Sequence, residues 1–283
     1  MSSVLKETAW RAHLQLGFSC KTTGAKTQLS TRKHIGPLLV QKPFYPEGEA
    51  CHIYLIHPPG GIVGGDLLHV DVDMDKHSHA LITTPAATKF YRSNAKQAAL
   101  QQQLRLATNS TLEWLPQESI FFSGSDANMT THITMEADSQ FIGWEILCLG
   151  RPASKELFTG GKMSQSFELW KKENSKRIPL FIERSEINGG SEMLSANWGM
   201  QNCTVTATMI CAPMRNDKDI YEQLRAIECR DGLAAISRFE EGMVARYLGH
   251  NAIAAREYFA ALWHIVRPVQ INRQACEPRI WST

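Results

Sequence analysis

The sequence predicts a mainly β protein closed by a small C-terminal helical part. Three observations carry that prediction: period-two alternation in several segments, polar turns between them, and helical periodicity only after residue 217. From Leu68 to Asp75 the even positions Leu68, Val70, Val72 and Met74 are apolar, while His69, Asp71, Asp73 and Asp75 are polar, the pattern of a strand with one wet face. The pattern returns in 100–107, with Leu100, Leu104 and Leu106 against Gln101, Gln103 and Arg105. It returns again in 129–136, with Met129, Ile133 and Met135 against Thr130, His132 and Thr134. Ser123-Gly124-Ser125-Asp126 and Asn188-Gly189-Gly190 read as turns. Such alternation predicts antiparallel pairing rather than alternating strand and helix.

Phe141 to Leu149 is different. Nearly every residue is apolar, so both faces are expected to be buried, with Glu145 inside. Two helices are expected late. Ile220, Leu224 and Ile227 form one stripe, with Asp217 and Asp219 at the end where the helix dipole favours acid. Ala255, Phe259, Leu262 and Val266 form a second, opened by Asn251 as N-cap and stopped by Pro268. Between them SRFEEGMVARYLG reads as a hairpin around Glu241-Gly242. With no linker, low-complexity tract or repeat, one domain over residues 1–283 is expected.

A net charge of +2 over 283 residues provides no field that would draw the chain to nucleic acid or an acidic membrane. Apolar runs stop short of the roughly 18 residues a membrane helix needs, so no membrane span is expected. The start, MSSVLKETAWRAH, lacks the apolar core of a secretory signal, and a cytoplasmic address is expected. Seven scattered cysteines without a C-x-x-C pair predict reduced, mostly buried thiols.

HPPGGIVGGD, from His57 to Asp66, is glycine-rich but matches neither a P-loop nor a dinucleotide fingerprint. Turns or tight backbone packing, with Gly60, Gly61, Gly64 and Gly65 at positive φ, explain it better. Asp66 is then a turn cap, with cation ligand as the alternative. The row His69, Asp71, Asp73, Asp75, His77, His79 would share one face if the strand stayed regular, offering oxygen and imidazole donors suited to a borderline ion such as nickel. A solvated strand face followed by a turn at Asp75 to Ser78 is the plainer reading. Cys51, His52 and His57 form a looser donor group. Glu145 needs a partner or water. Either it pairs with Arg151, Arg105 or Arg184, or it lies on a hydrated internal path. Glu183, after Leu180-Phe181-Ile182 and beside Arg184, raises the same question.

Several longer strings occur in order: GPLLVQKPFYPEG (36–48), HPPGGIVGGD (57–66), TTPAATKFYRS (83–93), LEWLPQESIFF (112–122), GWEILCLGRPAS (143–154), RYLG (246–249) and PRIWST (278–283). Together they resemble the UreD (UreH) family of urease accessory proteins over essentially the whole chain. The resemblance implies a β-helix-like stack of antiparallel and mixed short strands with two C-terminal helices. It further implies a non-catalytic scaffold that works with UreF and the GTPase UreG on urease apoprotein, so that nickel enters the metallocentre. No tightly bound cofactor is implied, only transient nickel, for which Asp66, Glu145, Glu183, His69, His77 and His79 are the candidate contacts. For the UreF contact it points to Arg267, Arg273, Arg279, Ile280 and Trp281, although a segment packed on its own domain would use the same residues. Departures are local. Phe122-Ser123-Gly124-Ser125 lacks the acid of the family's Phe-Asp-Gly-Ala, and Asn94 and Lys155 stand where glycine is common. A different turn is expected at Lys155, which tolerates the left-handed region poorly. A purely structural adaptor and a metal-dependent hydrolase built on the His69 to His79 row remain the alternatives.

Overall fold

The computed structural model describes residues 9–174, 176–215 and 217–282. The leader reading rests mostly on residues 1–8, and PRIWST ends on residue 283; both lie outside the described residues. In chain order the strands are β1 (Arg11–Ser19), β2 (Gln28–Ile35), β3 (Leu39–Val40), β4 (Cys51–Ile56), β5 (Leu67–Met74), β6 (His79–Thr83), β7 (Thr88–Phe90), β8 (Ala98–Leu106) and β9 (Thr111–Trp114). They continue with β10 (Ser119–Phe121), β11 (Asp126–Met135), β12 (Gln140–Leu149), β13 (Lys162–Glu173), β14 (Lys176–Asn188), β15 (Val205–Ala212), β16 (Gly232–Phe239) and β17 (Gly242–Gly249). Helix α1 (Lys218–Arg225) precedes β16, and α2 (Ala252–Ile271) follows β17.

From β4 to β13 the chain winds as a β-helix, its long strands falling alternately in two sheets. β5, β8, β11 and β13 join β1 in a seven-stranded sheet, and β4, β6, β9 and β12 join in a ten-stranded one. Every neighbouring pair within these two sets is parallel. Antiparallel strands finish the edges: β2 on β1, β14 on β13, β3 on β4, and β15, β17 and β16 beyond β12. The stacked mixture fits the expected fold, but the antiparallel pairing read from alternation is corrected for the coil itself. A parallel strand with one solvated face alternates just as an antiparallel one does, so side-chain period alone does not set direction.

The seven-stranded sheet keeps that alternation, and β5, β8 and β11 bury every second side chain. β12 is buried on both faces, as its composition requires, because α2 covers the side turned away from the seven-stranded sheet. Trp144 of β12 packs 6.1 Å from Phe259 of α2, and the Gln270 side-chain amide donates to the Ala212 carbonyl. One apolar cluster fills the space between the sheets and another lies under α2.

Asp217 caps α1 through bonds from the Asp219 and Ile220 N–H groups, and Asn251 caps α2 likewise. The hairpin forms with Glu240-Glu241 as its loop. Pro268, expected to stop α2, lies inside it, and the helix ends at Asn272 in the left-handed region (φ 53°). Proline removes one N–H and crowds one carbonyl, a local cost that burial of Ala255, Phe259, Leu262 and Val266 outweighs. Lys155 also departs from expectation: it adopts φ 59° and its N–H bonds the Pro152 carbonyl, so the turn keeps a left-handed geometry without glycine. Near Asn94 the left-handed residue is Ala95. Among the described residues no helix is long and apolar enough to cross a membrane.

Candidate functional site

Inside this apolar coil runs a polar vein. Three inward positions, at the same period as their leucine, methionine and phenylalanine neighbours, carry polar side chains: Gln102 on β8, Thr131 on β11 and Gln165 on β13, all buried. Glu145 on β12 faces them from the opposite sheet. Its Oε1 accepts from the Thr131 hydroxyl and its Oε2 from the Gln165 amide at 2.7 Å. The anticipated ion pair is therefore corrected. Arg105 is held by Asp71 and Asp73, Arg151 by Glu156, and Arg184 by Glu168. Burial dominates the Glu145 carboxyl; the two bonds oppose it only partly, Glu183 adds to it, and the pKa is raised to about 7.

Glu145 also separates two cavities. One, of about 340 Å³, is mostly apolar and extends from the loops at His57, Pro58 and Gly60 and at Pro85 and Ala86, past Gln102, to Glu145. The second, of about 120 Å³, lies beyond Glu145 and is lined by Gln165, Glu183, Thr206, Thr208 and Arg246. There Glu183 accepts from the Thr208 hydroxyl at 2.7 Å and from Arg246 at 3.0 Å. Gln165 Oε1 is buried without a partner at the junction. The arrangement places a buried carboxylate, with the Thr131 hydroxyl and the Gln165 amide bonded to it, between the two cavities.

The other sequence-predicted residues scatter. Asp66 is a buried turn cap: its Oδ1 accepts from Trp10 N–H at 2.7 Å and its Oδ2 from Val63 N–H at 3.0 Å. In the glycine segment only Gly60 and Gly65 take positive φ. Gly61 and Gly64 are needed instead for close packing, since a Cβ would fall 2.1 Å from the Tyr91 ring and 2.4 Å from Ser93 Oγ. The six-residue row breaks at its turn, where His77 has φ 64°. His69, Asp71 and Asp73 stay on the solvated face of β5; His79 opens β6 in the other sheet and bonds Glu113 at 2.7 Å. The row therefore assembles no common site. Cys51 and His52, consecutive on β4, bond Tyr45 and Glu47 separately. At the departing turn the Glu156 carboxylate accepts the Ser123 N–H, so an acid reaches it from another loop.

Of the residues expected at a partner contact, Arg267 is fully buried. Its guanidinium bonds Glu113 at 2.9 and 3.0 Å and Glu47 at 2.7 Å, while the Trp263 indole N–H also donates to Glu113. Burial alone would raise the Glu113 carboxyl, yet His79 and Arg267 together hold it below its usual range. Trp281 donates to Thr83 Oγ1 at 3.0 Å and packs on Trp144 and Trp263. Both residues thus serve the fold, tying α2 and the C-terminal segment to the ten-stranded sheet. Arg273 pairs with Glu49, Ile280 is half-buried, and Arg279 is exposed.

The polar residues missed from sequence were Gln102, Thr131 and Gln165. Each interrupts an apolar register, and that interruption was the available signal.

Comparison with known proteins adds an independent line. The model of the UreD urease accessory protein family matches residues 11–282. Urease accessory protein UreD of Dechloromonas aromatica (strain RCB) is 43% identical over 281 residues, covering 97% of this chain and 95% of that protein. The protein of the same name from Pseudomonas putida (strain W619) is 41% identical, covering 98% and 96%. That of Citrobacter koseri (strain ATCC BAA-895 / CDC 4225-83 / SGSC4696) is 38% identical, covering 97% and 92%.

Proposed function

The chain belongs to the UreD family of urease accessory proteins, and from that premise we propose that it is a non-catalytic, one-domain scaffold through which nickel reaches urease apoprotein, acting in the cytoplasm in a complex with UreF and the GTPase UreG. The observation that carries the nickel part of this reading is Glu145, a buried carboxylate with no cationic partner among the described residues, standing between two cavities. A carboxylate so placed is costly to the fold, because desolvation disfavours its ionised form. A divalent ion in the adjoining space would supply the missing countercharge. Thr131, Gln165 and Thr208 add neutral oxygens, and Glu183 adds a second carboxylate at the far cavity. Weak oxygen donors of this kind suit an ion that must leave again, since hard ligands hold nickel less firmly than imidazole or thiolate.

The strings HPPGGIVGGD and TTPAATKFYRS, which carry the family resemblance, supply His57, Pro58, Gly60, Pro85 and Ala86 to the lining of the wider cavity. In this reading GTP hydrolysis belongs to UreG, and the present chain positions partners and conducts their cargo.

The test is to co-express urease subunits with the remaining accessory proteins and with this chain as wild type, Glu145→Gln or Glu183→Gln. Complex assembly and nickel per urease are then scored separately. Assembled complexes that deliver less nickel are expected from both variants. Full loading by both, with complexes intact, would leave the chain a structural adaptor that nickel does not touch; full loading in cells lacking the chain would overturn the scaffold itself.

A further inference from the structure

On the solvated face of the seven-stranded sheet, well away from the polar vein, two histidines and a carboxylate converge. We propose that His13, His69 and Asp71 form a surface site for a first-row divalent transition ion of the nickel–zinc type. The parallel register of β1 and β5 sets His13 directly beside His69, and Asp71, two residues further along β5, shares their face. His13 Nε2 lies 2.7 Å and His69 Nε2 3.1 Å from the same oxygen, Asp71 Oδ2, and one donor atom from each residue lies within 4.8 Å of the others. The two rings meet edge-to-face at 5.0 Å, and both bring Nε2 to Asp71 Oδ2.

Two imidazoles and one carboxylate are the donor set that favours nickel, zinc or copper over magnesium or calcium, which take oxygen ligands almost exclusively. An ion at this point would need each imidazole proton on Nδ1, freeing the Nε2 lone pair. It would also set the three donors about 3–3.5 Å from one another, given metal–nitrogen bonds of about 2.0–2.1 Å, which moves His13 Nε2 slightly away from its 2.7 Å contact with Asp71. His13, whose side chain is half exposed, has room for that movement.

A second layer is in place. Arg105 donates to Asp71 Oδ1 at 2.6 Å, which fixes the carboxylate and leaves Oδ2 to the histidines. Asp73 takes the other arm of the same guanidinium at 3.0 Å, so two carboxylates face one cation and the patch remains attractive to a positive ion. Outer partners of this sort orient the inner ligands of protein metal sites. The register neighbours on this face, Gln15 beside Asp71 and Gln101 beside His69, are neutral. Three protein ligands on an open surface leave the remaining coordination positions to water, the arrangement of an exchangeable site rather than a closed structural one.

This site does not depend on the interior path, and the experiment separates them. The full chain is dialysed against nickel chloride, and bound metal is counted for wild type, for His13→Ala with His69→Ala, and for Glu145→Gln. The double variant is expected to bind one nickel fewer per chain, while Glu145→Gln keeps that equivalent. Superimposable isotherms for wild type and the double variant would overturn the proposal. A measurement on the unaltered chain removes any question of misfolding: nickel should shield His13 and His69 from carbethoxylation, mapped by mass spectrometry, while the exposed His34 continues to react. Equal modification of His13 and His69 with and without nickel would equally overturn it.

Discussion

The side-chain amide of Gln165 reaches across the gap between the two sheets and donates to Glu145 Oε2 at 2.7 Å, while its own Oε1 remains buried without a partner. Among the described residues Glu145 is therefore bonded only to neutral groups, its other partner being the Thr131 hydroxyl. A core that needed only stability would replace this set by packed apolar side chains at little cost. Its place at the junction of two cavities sets that energetic penalty where the proposed nickel passage runs.

That penalty has a pH signature. The Glu145 pKa rises from 4.5 to about 7 on folding, chiefly through burial. Between those values the unfolded chain releases the proton and the folded chain keeps it, so the contribution of Glu145 to stability is fullest below about pH 4.5 and is lost as pH rises through 7. Glu145→Gln removes the titration. The new amide can still pair if Gln165 turns its free Oε1 inward. The variant's gain in unfolding free energy over wild type should be about 2 kcal/mol larger at pH 8 than at pH 5. Urea unfolding at the two pH values checks this, and an equal difference at both would show that Glu145 is not the titrating group.

The buried pair Arg267 and Glu113 should behave in the opposite sense. Arg267 is enclosed by Glu113 of β9 and Glu47 of the turn before β4, and these bonds hold α2 against the ten-stranded sheet and that turn. Truncation in Arg267→Ala removes the arginine that these two carboxylates share, leaving Glu113 to His79 and Trp263 and Glu47 to His52, and should cost about 3–5 kcal/mol. Arg267→Lys should not rescue it, because an ammonium cannot serve both acids with the guanidinium's planar fork. Chemical denaturation of the three proteins decides the point; a loss below about 1 kcal/mol in the alanine variant would place the pair among weak, solvated ion pairs.

How far the sequence discloses this molecule depends on the range of the interaction. Alternation in Leu68 to Asp75 is local and reads directly as a half-wet strand. The wholly apolar run around Glu145 reads as buried for the same reason. Strand direction does not, because it is decided by where the chain returns after crossing between sheets. The six-residue row from His69 to His79 fails at one position, where His77 turns at φ 64° and sends His79 to the other sheet. His13 was invisible as a partner of His69 for a similar reason: 56 residues separate them, and only the parallel register brings them side by side. Glu113 and Arg267, 154 residues apart, are beyond any reading of local pattern.

Pro268 offers a cheaper test of the helix that Arg267 anchors. Its ring removes one hydrogen bond from the interior of α2, where proline costs roughly 3 kcal/mol. Restoring the donor in Pro268→Ala should stabilise the protein by about 1–2 kcal/mol, the smaller figure reflecting the greater freedom of the unfolded alanine chain. A higher thermal midpoint is the expected result, and a lower one would mean that the ring's own packing matters more than the missing bond.

The far cavity allows stability and the proposed passage of nickel to be pulled apart. Glu183 is held by Thr208 from within and by Arg246 from the surface, and the Arg246 side chain is about half exposed. An ion pair so open to solvent contributes less than about 1 kcal/mol, so neither Arg246→Gln nor Glu183→Gln should change stability by more than that. Their effects on nickel delivery should differ in sign. Removing the guanidinium takes a positive charge from the cavity lining and frees a carboxylate oxygen, which should raise nickel per urease when nickel is limiting. Removing the carboxylate takes away the donor and should lower it. Metal analysis of urease matured with each variant provides the comparison, and a fall in both would mean that the pair supports a partner contact rather than the passage of an ion.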